Sequence, residues 1–270
     1  MFKTVSTAAL AIALSAGAAL AAGHCAADKT LTEGKLTIAT GNPAYYPWVM
    51  NDDPASGEGF EAAVAYAVAR EMGFAPEDVV WVRSSFDEAI QPGAKNFDFN
   101  LQQYSITPER EEVVDFSAPY YVAPMAVLLS PGVEAEPTME SLKGLKWGAV
   151  SSTTAVPMLT DVIQPEQDLL LYGDTADVTA AMQAGQIDAA LFDLPTALFL
   201  SAVMVEGSTV LGQFEASAED GDAFGLLMED GNPLKACVDE ALAALTESGE
   251  LAEIEATWLQ DATGVPLISE

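Results

Sequence analysis

Histidine is nearly missing from this sequence. The one example, His24, stands close to the N-terminus. A Ser-His-Asp or Cys-His arrangement needs an imidazole base, so neither can be assembled farther along the chain. A histidine-rich metal site is excluded on the same ground. Basic residues are scarce too: 10 Lys plus Arg stand against 41 Asp plus Glu, a net charge of −31. Phosphate backbones are bound by basic faces, so nucleic acid is excluded as a partner and anionic membrane surfaces are disfavoured. There is no G-x-x-x-x-G-K-[ST] loop and no G-x-G-x-x-G following a strand. The acidic run Glu219-Asp220-Gly221-Asp222 lacks the spacing of an EF-hand loop and reads as a solvated turn. Neither a cofactor nor a metal is expected.

What is present begins with an export signal over residues 1–21. Lys3 supplies the positive end, Ala8 to Ala22 form an apolar run, and Ala19-Leu20-Ala21 offers a small-x-small cleavage site near Ala21. Cys25 follows His24 rather than a small residue, so lipid attachment is not expected. No later stretch reaches the roughly 20 apolar residues of a membrane-spanning helix, and the mature chain is expected in solution. Hydrophobic residues make up 50% of the chain, enough for a true core. The excess acid reads as a solubilising surface suited to salty water. Steering of cationic ligands is the other reading, and salt would screen it. Exported proteins meet an oxidising compartment, so a Cys25–Cys237 bridge tying the N-terminal tail to a C-terminal helix is expected.

The hydrophobic spacing predicts alternating strands and helices. Leu36–Thr40, Val79–Val82 and Phe97–Leu101 read as strands, with helices at Phe60–Met72 and Phe86–Ile90. A second block repeats the rhythm: strands at Trp147–Val150, Leu169–Tyr172 and Ala189–Phe192, and helices at Ala155–Val162 and Ala176–Ala184. Such βαβ alternation implies an α/β fold with mostly parallel sheets. Ala123–Leu129 and Ala223–Met228 flank the second block and are expected to be crossings between two lobes. Leu234–Thr246 and Leu251–Trp258 read as amphipathic helices.

Open α/β sheets bind ligands at the carboxyl ends of their strands. Those loops here are Asn42 to Trp48, Ser84 to Phe86, Gln102 to Arg110, Ser151 to Thr154, and Asp193. Among three arginines, Arg70 falls on the polar side of a helix and Arg83 ends a strand; Arg110 alone lies in a binding loop. Its guanidinium suits a carboxylate in a bidentate, charge-assisted pair. A salt bridge to Glu109, Glu111 or Glu112 is the competing reading.

The segment Ser105-Ile-Thr-Pro-Glu-Arg110, followed by Val114-Asp-Phe-Ser-Ala-Pro-Tyr120, resembles the T-x-E-R…D-F-S-x-P-Y signature of bacterial periplasmic solute-binding proteins of the polar amino-acid type. Gly59-Phe60-Glu61, Leu142-Lys143-Gly144-Leu145, Ser152-Thr153-Thr154 and Ala184-Gly185-Gln186-Ile187-Asp188-Ala189 resemble further family motifs in the right order. The resemblance covers nearly the whole mature chain. It implies a two-lobed periplasmic-binding-protein fold of type II, with two crossing strands as hinge. Lobe 1 would comprise 28–123 plus 224–270, and lobe 2 would comprise 124–223. It also implies a monomer in the periplasm that hands an amino-acid-like ligand to an ABC permease, and not an enzyme. Carried over residue by residue, Arg110 should grip the ligand carboxylate, with Thr153 and Thr154 beside it. Ser105 and Asp193 should take the ammonium, and Tyr45 and Phe86 should sandwich the body.

The departures shape the expected ligand. Ala63 replaces a second acid, Ser152 replaces a glycine, and Gln102, Gln103 and Tyr104 replace small residues. Asn42 stands where relatives that take basic amino acids often carry an acid. A neutral or polar ligand is therefore expected over a lysine or arginine type, with Asn42 and Gln103 in the site. Tyr45, Tyr46, Trp48 and Phe86 could instead cage a quaternary amine. The alternative function is a dehydratase-like enzyme acting on a small carboxylate, for which Glu61 is the nearest general acid.

Overall fold

The computed structural model describes residues 25–216, 223–259 and 264–269. The export segment, its cleavage site, His24 and the acidic turn at 219–222 lie outside the described residues. Strands occur in chain order as β1 (Leu36–Thr40), β2 (Val79–Arg83), β3 (Phe99–Asn100), β4 (Val114–Phe116), β5 (Tyr121–Val122), β6 (Met125–Leu129), β7 (Trp147–Val150), β8 (Leu170–Tyr172), β9 (Ala189–Asp193), β10 (Thr209–Gln213), β11 (Ala223–Phe224) and β12 (Leu227–Glu229). They form one sheet of order β2-β1-β3-β12-β4 and another of order β10-β6-β9-β7-β8. β1 pairs in parallel with β2 and β3, and β7 pairs in parallel with β8 and β9. β12 and β6 enter antiparallel, so each sheet is mixed.

The helices are α1 (Phe60–Glu71), α2 (Phe86–Ala89), α3 (Pro108–Glu111), α4 (Met139–Lys143), α5 (Ala155–Pro157), α6 (Thr175–Gln183), α7 (Leu194–Phe199), α8 (Lys235–Ser248) and α9 (Glu250–Trp258). Phe60, Val64, Ala67 and Val68 recur at helical spacing on α1, and all are buried. They pack with Leu36, Ile38 and Phe99 of the first sheet and with Val238, Leu242 and Leu245 of α8. Full burial of a ring such as Phe60 contributes about 2–3 kcal/mol. The second half buries Val127, Trp147, Ala149, Leu159 and Ile163 on one face, and Leu128, Val178, Met182 and Ile187 on the other. Gly148 permits that second face: a Cβ there would come within 2.6 Å of Ile187 Cδ1.

The bridge between Cys25 and Cys237 is formed and fixes the N-terminal tail to α8. Three expectations need correction. The crossings are shorter than expected: β5 and β11 pair antiparallel as a two-stranded ribbon, while Met125–Leu129 and Leu227–Glu229 are interior strands of the two sheets. Long apolar runs look alike whether they cross or are buried inside a sheet, which is why the sequence overextended them. The helix expected at Ala155–Val162 turns π-helical at Met158–Ile163 and ends at Gln164, whose φ is +55°. The tail placed with the first lobe leaves it: Leu267 bridges to Gln213, Ser269 bridges to Thr138, and Ile268 packs in the second core.

Candidate functional site

Between the two halves lies a cavity of about 350 Å³. Its wall includes all nine expected site residues: Asn42, Tyr45, Phe86, Gln103, Ser105, Arg110, Thr153, Thr154 and Asp193. The loops reach it because β1, β3, β7 and β9 end there, the position expected for ligands in open α/β sheets.

Arg110 is held by α3. Thr107 caps that helix, accepting the Arg110 N–H at 3.3 Å, and Pro108 fits its first turn. The guanidinium donates to the Ser105 carbonyl at 2.7 Å and to the Ser152 carbonyl, on the opposite half, at 2.9 Å. It also lies over the Phe86 ring, 5.4 Å from the centroid. Phe86 in turn stacks on Tyr104 at 4.6 Å. The competing salt bridge to Glu109, Glu111 or Glu112 is not made. Arg70 pairs with Glu71 and Glu250, and Arg83 pairs with Asp52, so among the described residues Arg110 is the arginine without a carboxylate partner. Burial depresses its pKa, opposed by Tyr104 and Glu109 nearby. A half-buried cation whose hydrogen bonds go only to neutral carbonyls is an unmet demand for an anion.

Asp193 ends β9 and caps α7, its Oδ1 accepting the Thr196 N–H at 2.8 Å. Burial pushes its carboxyl up to about 6, against the lowering effect of its bonds from Thr196. Ser105 Oγ and Thr154 Oγ1 are 3.4 Å apart across the cleft. Tyr45 feels the charges of Asp174 and Asp52. Its hydroxyl pKa is raised by burial first and by those two carboxylates second. Of the suggested aromatic cage, Tyr46 is not on the wall: it packs on Phe199 with centroids 5.4 Å apart.

Gln103 lies on the wall, and its side chain is anchored there. Its N–H and Nε2 donate to the two oxygens of Glu61 at 2.8 and 2.6 Å. Tyr120 donates a short hydrogen bond to the same carboxylate. Glu61 is fully buried, and burial raises its pKa to about 7 despite those three donors. Its role is internal to the first half, holding Gln103 at φ +52°. Sequence reasoning missed Asp87, Asp174 and Thr196, which also line the cavity, as does Trp48 of the suggested cage. The Ser85-Phe86-Asp87 turn was legible as a loop. Asp174 carried the signal of a helix cap before α6, but nothing marked it as facing the cleft.

This is the architecture of a two-lobed solute-binding protein, with a hinge ribbon and one cleft. The chain belongs to the bacterial extracellular solute-binding proteins, family 3, whose model matches residues 36–261. It is 28% identical to the lysine/arginine/ornithine-binding periplasmic protein of Escherichia coli (strain K12) over 248 residues, covering 89% of this chain and 92% of that one. It is 27% identical to the L-cystine-binding protein TcyJ of the same strain over 236 residues, covering 86% and 85%. The structure of an ancestral arginine-binding protein bound to glutamine superposes with a TM-score of 0.71 at 24% identity, covering 84% of this chain and 98% of that one.

Proposed function

We propose that this protein captures an amino acid in the cleft outside the cytoplasmic membrane and delivers it, as a monomer, to an ABC permease. One observation carries the reading. A half-buried guanidinium with no carboxylate partner among the described residues, Arg110 on the first half, and a half-buried carboxylate, Asp193 on the second, line one cavity. Neither makes an ion pair among the described residues, and an α-amino acid zwitterion supplies a counter-charge to each. Phe86 and Tyr45 offer flat walls for the body between the two charges. The names of the relatives, which bind amino acids, support the same class.

Asp87 narrows the side chain. Its Oδ1 is buried without a hydrogen-bond partner, on the cavity wall. A buried acceptor left unmade costs about 1–3 kcal/mol, so a ligand side chain with an N–H donor is favoured. An amide or a cation both satisfy it. The weight that Asn42, Gln102 and Gln103 put against a cationic side chain is thereby reduced. A dehydratase would need a general acid in the cleft, and Glu61 is already engaged by three donors. A thermal-shift panel of the L-amino acids with ornithine and cystine, followed by calorimetry, tests the reading. A panel without a hit overturns it, and so does turnover of a bound carboxylate.

A further inference from the structure

Asp193 and Trp48 belong to opposite halves of the molecule. Trp48 is 1% exposed and is enclosed by the rings of Phe60, Tyr121 and Phe224 at 5.8, 6.0 and 5.9 Å. Two of those rings, Tyr121 and Phe224, are in the hinge ribbon. The Trp48 loop is further fixed by Gly59, where a Cβ would meet the Trp48 carbonyl oxygen at 2.5 Å. From this rigid seat the indole Nε1–H donates to Thr196 Oγ1 at 2.8 Å. Thr196 stands three residues after Asp193. Its backbone N–H donates to Asp193 Oδ1 at 2.8 Å, and its hydroxyl lies near enough to help lower the pKa of the Asp193 carboxyl.

The direction of this chain is forced. An indole N–H can only donate, and a hydroxyl has one proton and two lone pairs. Thr196 Oγ1 must therefore accept from Trp48, and its single proton is free to turn toward the nearby carboxylate. We propose that Trp48 and Thr196 are positioning residues: the indole of one half orients the hydroxyl of the other, which aims the Asp193 carboxylate at the ammonium group of the ligand. The inference rests on the reading of Asp193 as ammonium acceptor. The relay is complete only while the halves are in contact, so ammonium recognition and cleft closure favour each other, as ligand and conformational equilibria must when linked.

The test uses the full mature chain and the variants Trp48→Phe, Thr196→Val, Thr196→Ser and Trp48→Phe/Thr196→Val. Melting curves first establish that each is folded at the measuring temperature. The titrant is the amino acid giving the largest shift in the thermal panel. Each of Trp48→Phe and Thr196→Val is expected to weaken binding about tenfold, the scale of one hydrogen bond to a charged group. The double variant should weaken it no further than either single change, because both break one relay. Thr196→Ser should return affinity to within about twofold of the parent, since it keeps the hydroxyl. Additive losses, or a serine variant as weak as the valine one, would overturn the proposal. The indole N–H resonance of Trp48, assigned by its loss in Trp48→Phe, gives a readout free of ligand. Asp193→Asn should move that resonance in the parent and leave it in place in Thr196→Val; movement of equal size in both would also overturn the relay. A panel with no binder at all rejects the amino-acid reading, and the resonance then decides the relay by itself.

Discussion

The Arg110 guanidinium reaches across the cleft to the backbone carbonyl of Ser152, 2.9 Å away. Its other bond, to Ser105 O, stays on its own half. The residue best suited to a ligand carboxylate is thus held by two neutral carbonyls, one from each half. A carboxylate in the cleft adds a charge-assisted partner that neither carbonyl provides.

Arg110→Ala should lower affinity for the amino-acid ligand by at least about a hundredfold, because a charged hydrogen bond lost in a buried site costs roughly 3 kcal/mol or more. Isothermal titration against the panel hit measures it. Arg110→Lys should recover little, since an ammonium lacks the planar fork. Full affinity in the lysine variant would remove the bidentate role.

Phe86→Leu should weaken the ligand severalfold while the protein remains folded. The ring lies between Arg110 and Tyr104, and leucine keeps the apolar bulk but not the face. Cation–π and stacking contributions of about 0.5–2 kcal/mol set the scale. An unchanged Kd would show that the ring only packs.

Stability should fall as the pH rises from about 4.5 to 7, and Glu61 should account for most of it. Burial raises the Glu61 carboxyl from 4.5 to about 7. The folded chain then holds the proton more tightly than the unfolded one. This stability is fully present below about 4.5 and is lost as the pH climbs through about 7. At 1.36 kcal/mol for each unit, the full span is on the order of 3 kcal/mol. Asp193, raised to about 6, contributes with the same sign over the lower part of that range and does so in both proteins. Urea midpoints for the parent and Glu61→Gln at both ends of the range check this, since glutamine does not titrate. Equal losses in the two proteins would place the slope elsewhere.

Cys25→Ser/Cys237→Ser should lower the melting temperature, and the native chain should gain the mass of two hydrogens on reduction. The bridge joins residues 212 apart, and closing so long a loop removes unfolded-chain entropy worth at most about 5 kcal/mol. No mass change on reduction would show the thiols free.

Salt should stabilise the fold. The net charge is −31, and few of the acids are offset by the 10 basic residues. Raising the ionic strength from about 0.01 M to 1 M shortens the Debye length from about 30 Å to 3 Å and screens that self-repulsion. A melting temperature that falls over the same range would mean that the surface ion pairs outweigh the repulsion.

Much of the fold was legible in local patterns. The strands Leu36–Thr40 and Trp147–Val150 stand where the alternation and apolar runs put them. The helix at Phe60 was marked by its spacing and closed by Gly73. β4 and β10 were not read as strands, because three residues at Val114–Phe116 and a mixed run at Thr209–Gln213 give too little period to register. The nine wall residues were named from loop position and from family motifs, and those depend on chain order alone.

The sequence by itself determined the α/β alternation, the family and the loops that meet at the cleft, because each is written in local spacing or in a contiguous motif. Which polar groups touch was decided only by the tertiary structure. Glu61 reaches Gln103 across 42 positions, and Trp48 reaches Thr196 across 148. Nothing local specifies such pairs. They follow from how two sheets, each closing its own core, are set against each other by a short ribbon. The packing that results decides that, among the described residues, Arg110 is left without an acid partner while Arg70 and Arg83 are paired.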